Sequence, residues 1–161
     1  MTSATTPAAL TTRDLLAMPA ADLDDLFRSS PAGPVPRGRG NGTALAATAY
    51  RVARPFARMT QLSAWQGKVF ADDGTSLRNL VSPLGVRAIR AAVYEGTSRL
   101  DDRPCVVLDY SKTSWIARWV RDEIREVAPG LYLGVVFVRS RRVPIRFALD
   151  FASGVGGDRV E

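Results

Sequence analysis

The sequence predicts a mainly β fold with a minor helical part. It favours a curved antiparallel sheet or a small β-barrel, with short N-terminal helices and one helix inserted before the last hairpin. Seven apolar or alternating segments are separated mainly by short turns, which is typical of such folds. The chain has 161 residues, of which 46% are hydrophobic and 24% charged, as in one ordinary globular domain. An open α+β sheet with its helices on one face is the alternative.

The first 41 residues are predicted to precede the sheet. Residues 1–11 are rich in Thr, Ala and Ser, a composition that predicts disorder. Leucines and Phe27 then recur at helical spacing over residues 12–28, which predicts one or two short helices broken near Pro19. Residues 29–42 contain three prolines and four glycines and predict an irregular connection.

The sheet domain is predicted over residues 42–151, with a polar tail over 152–161. A helix of about ten residues is expected after Pro55, because proline suits the first turn of a helix. The seven predicted strands alternate polar and apolar residues or form short apolar runs. They cover residues 42–48, 65–70, 77–81, 86–94, 105–110, 131–138 and 143–151.

The segment 114–127 has two readings. Ile116, Val120, Ile124 and Val127 form one stripe at helical spacing, which favours a helix. The last five residues also alternate polar and apolar side chains, so a strand remains open. In the helical reading, the charges of the segment pair on the surface or reach the mouth of a barrel.

Composition excludes several classes of catalytic site. The chain has no histidine, which excludes His-based triads and the common zinc sites, so no metal or cofactor is expected. Its single cysteine, Cys105, forbids an intrachain disulfide and is expected to be a buried apolar residue. The Gly38-x-Gly40-x-Gly42 pattern follows a proline-rich segment rather than a strand, so it does not predict a phosphate-binding loop.

The charge balance leaves nucleic acid open as a partner. Lys and Arg total 22 and Asp and Glu total 16, a net charge of +6, but the basic residues are spread along the chain. The densest basic cluster is Arg139, Arg141 and Arg142. The N-terminus lacks the features of a secretory signal, and the longest apolar run is far too short to span a membrane. These features predict a cytoplasmic protein with no membrane partner.

Four segments resemble a group of small bacterial proteins for which no activity is established: WQGKVF (65–70), CVVLDYSKTS (105–114), RDEIREVAPGLYLG (121–134) and RFALDF (146–151). The chain also has a looser resemblance to lipocalin-like (calycin) barrels. That resemblance implies a Trp on the first long strand, here Trp65, with an Arg from a late strand packed across it, here Arg146. The usual glycine two residues before the Trp is Ser63 in this chain.

The leading functional hypothesis is a soluble binding module that holds a small, largely apolar or weakly acidic molecule inside the barrel. Pockets of this kind are apolar with a few placed polar groups. Tyr110 or its neighbour Asp109 can face inward, but not both, because adjacent strand residues face opposite sides. The predicted lining or rim residues are Trp65, Lys68, Asn79, Tyr110, Arg121, Tyr132 and Arg146.

Two other functions remain open. One is a cofactor-independent cyclase, isomerase or hydrolase on the same scaffold, with Glu123, Asp109 and Tyr132 as its acid–base candidates. The other is single-stranded nucleic-acid binding by arginines and aromatic side chains. Trp115 and Trp119 would form one aromatic face in a helix, which predicts a core position or a place at a ligand mouth.

Overall fold

The computed structural model describes residues 9–45, 65–81, 89–113, 115 and 117–152. Within these residues, eight antiparallel strands form a closed barrel in sequence order, and β1 also pairs with β8. Two short helices precede the strands. The elements are α1 (Thr12–Ala17), α2 (Ala20–Ser29), β1 (Gly38–Leu45), β2 (Trp65–Phe70), β3 (Ser76–Val81), β4 (Arg90–Thr97), β5 (Pro104–Asp109), β6 (Val120–Ala128), β7 (Leu131–Val138) and β8 (Arg141–Asp150).

The predicted mainly β barrel is confirmed, but the predicted helix over 114–127 is wrong. Strand β6 occupies most of that segment and pairs with both β5 and β7. Val120 and Ile124 pack against the barrel interior, whereas Arg125 on the opposite face binds loops outside it. Pairing with two neighbours satisfies the backbone and places the alternating side chains on both faces, which outweighs the helical spacing of the apolar residues.

The first strand begins earlier than expected, at Gly38 rather than at residue 42. The predicted helix after Pro55 lies outside the described residues, as do the start of the predicted 86–94 strand and residues 153–161 of the predicted tail. The remaining strands agree with the prediction to within a few residues.

Two apolar clusters lie on opposite sides of the sheet. The first lies inside the barrel and includes Phe70, Leu108, Ile124 and Phe147. The second lies outside, where the helices cover one wall of the barrel; it comprises Leu15, Leu23, Phe27, Leu45, Leu131, Leu133, Val135, Phe137 and Ala148. Strands β7 and β8 therefore bury both faces, which explains the continuous apolar run in β7.

The glycine-rich pattern of residues 38–42 belongs to the strand that closes the barrel. Gly40 lies under the ring of Phe151 and Gly42 under the ring of Trp65, and a Cβ at either position would lie 2.6 Å from the ring. Gly67 on β2 has φ +125° and lies against the backbone of Gly40. Glycine permits both the backbone angle and the close approach.

Polar contacts fasten the helices to the barrel. Thr11 caps α1 in a capping box with Asp14. Asp24 on α2 binds the guanidinium groups of both Arg142 and Arg146 on β8, and its distances to Arg146 are 2.7 Å. The buried Arg125 on β6 also donates to the Phe27 carbonyl at the end of α2, at 2.9 Å.

The two ends of the barrel differ. At one end, which we call the sealed end, residues 31–37 cross the opening: Val35 packs on the interior cluster and the Pro34 carbonyl accepts a 2.7 Å hydrogen bond from Tyr132. The β2–β3, β4–β5 and β6–β7 turns lie there too. The other end, which we call the loop end, carries the β5–β6 connection (residues 110–119) and the β7–β8 turn (139–140).

We expect Gly67→Ala to destabilise the barrel by about 3 kcal/mol or more, because a Cβ would collide with the Gly40 carbonyl at a backbone angle that L residues avoid. Gly38→Ala is the matched control, since Gly38 also has a positive φ, +71°, but has open space around it. Only the backbone cost of about 1 kcal/mol should appear there. Urea unfolding measures both, and equal losses in the two variants would contradict the close contact.

We expect Asp24→Asn to lower the free energy of unfolding by about 2 kcal/mol, because two arginines lose their charged acceptor. Burial alone would raise the pKa of Asp24, but the hydrogen bonds and charges of Arg146 and Arg142 hold it far below its ordinary value. The loss should therefore be complete at neutral pH and shrink as the pH falls below about 4.

The neighbouring Asp25→Asn variant is the control, because the Asp25 carboxylate is 80% exposed and contacts only the exposed Arg28. Its unfolding curves should match those of the wild type at every pH. A difference between wild type and Asp24→Asn that does not change down to strongly acidic pH would show that the carboxylate charge does not fasten α2.

Candidate functional site

Four polar side chains meet inside the barrel towards its loop end, and we call them the lysine cluster. The Lys68 Nζ donates to Asn79 Oδ1 at 2.8 Å, to the Tyr110 hydroxyl at 2.6 Å and to Asp122 Oδ2 at 3.1 Å. The Tyr110 hydroxyl donates to Asp122 Oδ2 at 3.2 Å and accepts from Asn79 Nδ2 at 3.0 Å. An ammonium has three N–H donors, so these contacts use all of them.

Strand register explains why these residues converge. Lys68 and Asn79 are paired on β2 and β3. Tyr110 directly follows β5 and shares the inward face of Leu108, while Asp122 lies between the inward-facing residues of β6. Lys68 is 3% exposed and Asp122 5% exposed, so this ion pair is a core feature and not a surface salt bridge.

An irregularity in β2 brings Trp65 to the same site. Strict alternation would place Trp65 and Lys68 on opposite faces, because they are three residues apart. The β2–β3 register shifts between Trp65 and Gly67, which turns the indole inward as a β-bulge does. Strict alternation therefore does not describe this end of β2.

Aromatic rings surround the ammonium group. The Lys68 Nζ lies 5.5 Å from the ring centroid of Trp65 and 5.3 Å from those of Tyr110 and Phe147. Trp65 and Phe147 pack edge to face with their centroids 5.5 Å apart. Ring faces attract a cation where water is excluded, so these three rings add to the stabilisation that Asp122 provides.

Lys68 and Tyr110 are kept in their donor forms at neutral pH. Burial opposes the charged form of Lys68, but the neighbouring Tyr110 and Asp122 more than compensate, so its pKa lies above the ordinary lysine value. Burial raises the pKa of Tyr110 to about 12, despite the opposing effect of Lys68. A protonated lysine and a protonated tyrosine can donate hydrogen bonds, but neither acts as a base or a nucleophile.

Four of the seven predicted binding residues come together here: Trp65, Lys68, Asn79 and Tyr110. The other three do not. Arg121 binds Glu123 and the Thr97 carbonyl on the outside of the barrel. Arg146 binds Asp24 on α2. The expected packing of Arg146 across Trp65 is thus wrong; its neighbour Phe147 makes that contact.

Tyr132 is the third residue placed elsewhere, at the sealed end of the barrel. Its hydroxyl donates to the Pro34 carbonyl and its ring packs edge to face on Phe151, with the centroids 5.6 Å apart. Burial raises its pKa above the ordinary tyrosine value. The ring of Phe147 on β8 covers Gly134, which lies on the same strand as Tyr132.

The predicted acid–base candidates do not form a catalytic group. Glu123 is fully buried outside the barrel, where its carboxylate accepts from Ser98, the Arg99 backbone N–H and Arg121. Asp109 lies on the outer face and accepts from Tyr94 and the Ser111 backbone N–H. Tyr110 faces inward and Asp109 outward, as the alternation of a strand requires.

Asp122 and Phe147 are site residues that the sequence analysis missed. A helix over residues 114–127 would place the charges of the segment, including that of Asp122, at the surface. In a strand, Asp122 shares one face with the apolar residues Val120 and Ile124. This pattern predicts a carboxylate that points into the barrel. The sequence does not mark Phe147 as a site residue, because an aromatic residue in an apolar strand is most often part of the hydrophobic core.

The structure also places the single cysteine and the two tryptophans of the β5–β6 connection. Cys105 is buried and free, and burial, with help from Glu123, raises the pKa of its thiol to about 12. Trp115 and Trp119 are 82% and 45% exposed, so the prediction that they belong to the core is wrong. Among the described residues, no cluster of His, Cys, Asp and Glu is arranged to hold a metal ion.

The fold and the site define a closed eight-stranded antiparallel barrel with a buried ion pair inside it. No protein-family model matches the chain, and no curated protein does. A crystal structure of a protein from Thermomonospora curvata is similar, with a TM-score of 0.58 and 18% identity over 81% of this chain and 85% of that chain. This likeness supports the fold alone. No helix in the described part of the chain is long and apolar enough to cross a membrane.

We expect Lys68→Met to cost about 3–5 kcal/mol of stability, because it leaves the buried Asp122 carboxylate without its cation. The double variant K68M/D122L removes both charges and should recover most of the loss. Urea unfolding, monitored by far-UV circular dichroism, measures the free energies of the wild type, the two single variants and the double variant. A double variant as unstable as the sum of both single variants would show that the pair is not coupled.

Proposed function

We propose that this protein binds a small, largely apolar molecule inside the barrel, with one oxygen-bearing group of the molecule at the lysine cluster. The observation that carries the proposal is the buried ion pair with its two polar partners in an interior that is otherwise aliphatic and aromatic. Apolar walls with a few convergent polar groups are typical of small-molecule sites.

The energetics of the cluster support a functional role. A buried ion pair is weak evidence for stability, because desolvation offsets most of the attraction between the charges. Apolar residues of similar volume at Lys68 and Asp122 would build a barrel at lower cost. A cluster of fixed donors is useful where a ligand must be oriented, since its polar groups are arranged before the ligand arrives.

The charges of the cluster indicate what the oxygen-bearing group is. Lys68 and Asp122 together are neutral, and the carboxylate lies 3.1 Å from the ammonium. A carboxylate ligand approaching Lys68 would be repelled by Asp122. A neutral carbonyl or hydroxyl oxygen could accept from the second N–H of Asn79, or from Lys68 in exchange for one of its present partners. We therefore favour a neutral ligand over the weakly acidic one that the sequence left open.

Binding is a better fit to this geometry than catalysis. Lys68 and Tyr110 are held protonated, and the acid–base candidates Glu123, Asp109 and Tyr132 are held apart from the cluster by their own hydrogen bonds. An enzyme on this scaffold would have to use the cluster itself, where the one carboxylate among the described residues, Asp122, is already engaged by Lys68 and Tyr110.

Trp65 provides an optical test of the proposal. In the variant W115F/W119F it is the sole tryptophan, and it lies at the cluster. We expect the neutral apolar fluorophore 6-propionyl-2-dimethylaminonaphthalene, which carries a carbonyl oxygen, to bind this variant and to quench Trp65 by energy transfer. Adding K68M/D122L should weaken binding at least about tenfold, since the oriented donors are lost.

The matched control adds Asp25→Asn, which alters an exposed carboxylate outside the barrel, and should leave the affinity unchanged. Comparison of 1-decanol with decanoate as competitors tests the ligand charge, and decanol should displace the fluorophore more readily. Absence of Trp65 quenching, or equal binding by the K68M/D122L protein, would reject the interior site.

A further inference from the structure

Two exposed tryptophans and two arginines form a stacked group at the loop end of the barrel. The guanidinium of Arg118 lies 4.8 Å from the ring centroid of Trp115 and 4.1 Å from that of Trp119, and that of Arg139 lies 4.7 Å from Trp119. Trp115 is 82% exposed and Trp119 45% exposed. We call these four residues the Trp–Arg patch. Packing against the barrel does not require the two indole rings to be this exposed, and exposed apolar surface of this kind often marks an interaction site.

The β7–β8 turn is strained in a way that supports the patch. Arg139 and Ser140 have φ values of +49° and +66°, a left-handed conformation that Asn and Gly adopt much more readily in two-residue hairpin turns. The Arg139 backbone N–H donates to the Trp119 carbonyl at 3.0 Å, and its side chain stacks on the Trp119 ring. Strain at a surface turn that holds a side chain in place is typical of functional sites.

The charges of the barrel are unevenly distributed between its ends. The loop end carries Lys112, Arg118, Arg139 and Arg141, all exposed, and residues 110–119 and 139–141 include no Asp or Glu. At the sealed end, the four carboxylates Asp72, Asp73, Asp101 and Asp102 offset the four cations Arg37, Arg39, Arg99 and Arg103. The electric field of this charge distribution turns the loop end towards an anionic surface.

We propose that the Trp–Arg patch docks the protein on an anionic lipid surface. Indole rings are amphipathic and favour the headgroup region of a bilayer, while exposed cations are attracted to anionic lipids. A guanidinium stacked on an indole can reach a phosphate with its edge while the ring enters the interface. The proposal depends only on this surface and not on a ligand inside the barrel.

The stacking geometry favours lipid over single-stranded nucleic acid. A nucleobase needs an open aromatic face on which to stack. Two guanidinium groups already lie within 4.7 Å of the Trp119 ring centroid, and Arg118 also lies over Trp115. The patch is one tip of the barrel with cations and the exposed indole of Trp115, rather than a groove of successive open rings that a single strand could follow.

Co-sedimentation with vesicles tests the proposal. The full chain should bind vesicles that mix phosphatidylcholine with phosphatidylglycerol, and should not bind pure phosphatidylcholine. We expect W115A/W119A, and separately R118Q/R139Q, to lower the partition coefficient at least about tenfold. The controls are Leu16→Ala, which removes a 55% exposed apolar side chain on α1, and R37Q/R39Q, which removes two exposed cations at the sealed end. Both should bind like the wild type.

The variant R139N/S140G separates docking from folding. Asn-Gly suits the left-handed turn, so the midpoint of urea unfolding should rise while vesicle binding falls. Two results would overturn the proposal. One is vesicle binding by the patch variants that equals the binding of the two controls, Leu16→Ala and R37Q/R39Q. The other is binding of an oligo-dT strand that the patch variants abolish, in a protein that does not bind anionic vesicles.

Discussion

Gly40, Gly42 and Gly67 meet where β1 and β2 come together, and the absence of side chains there sets how the barrel closes. The space left over β1 is filled by the rings of Phe151 and Trp65. A β-bulge next to Gly67 then turns Trp65 inward, beside Lys68. Any larger residue at Gly67 would push β1 away from β2, and the aromatic lining and the ammonium would lose their common position.

The interior of the barrel is therefore asymmetric along its axis. Towards the sealed end it is a packed core of apolar side chains covered by residues 31–37. Towards the loop end it holds a lysine, a carboxylate, an amide and a phenol that satisfy one another. A fully satisfied polar network in a low-dielectric interior is rigid, and rigidity is what a site needs to distinguish one ligand orientation from another. The ion pairs on the outside of the barrel have a different role, because Asp24 and Arg125 fasten α2 to the sheet.

Much of the fold could be predicted from local pattern, and the failures have physical causes. Residues 65–70, 105–109 and 131–138 show the alternation or the apolar run of a strand and form strands. The 114–127 segment failed because its apolar residues fit a helix, whereas partners distant in sequence decide its state. Lys68 and Tyr110 are polar residues within or next to predicted strands, and the sequence predicts both as lining or rim residues. Asp122 was missed together with its strand, and the role of Gly67 depends on a contact with β1 that no local pattern encodes.

The seam between β1 and β8 has a consequence for the order of folding. Seven of the eight strand pairs join neighbours along the chain, whereas Asn41 pairs with Asp150 and joins the two ends of the barrel. Closing so long a loop carries the largest entropic cost of any step, and the hairpins can form before it. Folding thus passes from a meander of hairpins to a closed ring. The last contacts to form include the one that places the ring of Phe151 over Gly40 on β1, so an intermediate with an open seam exposes this aromatic side chain to other molecules until the ring closes.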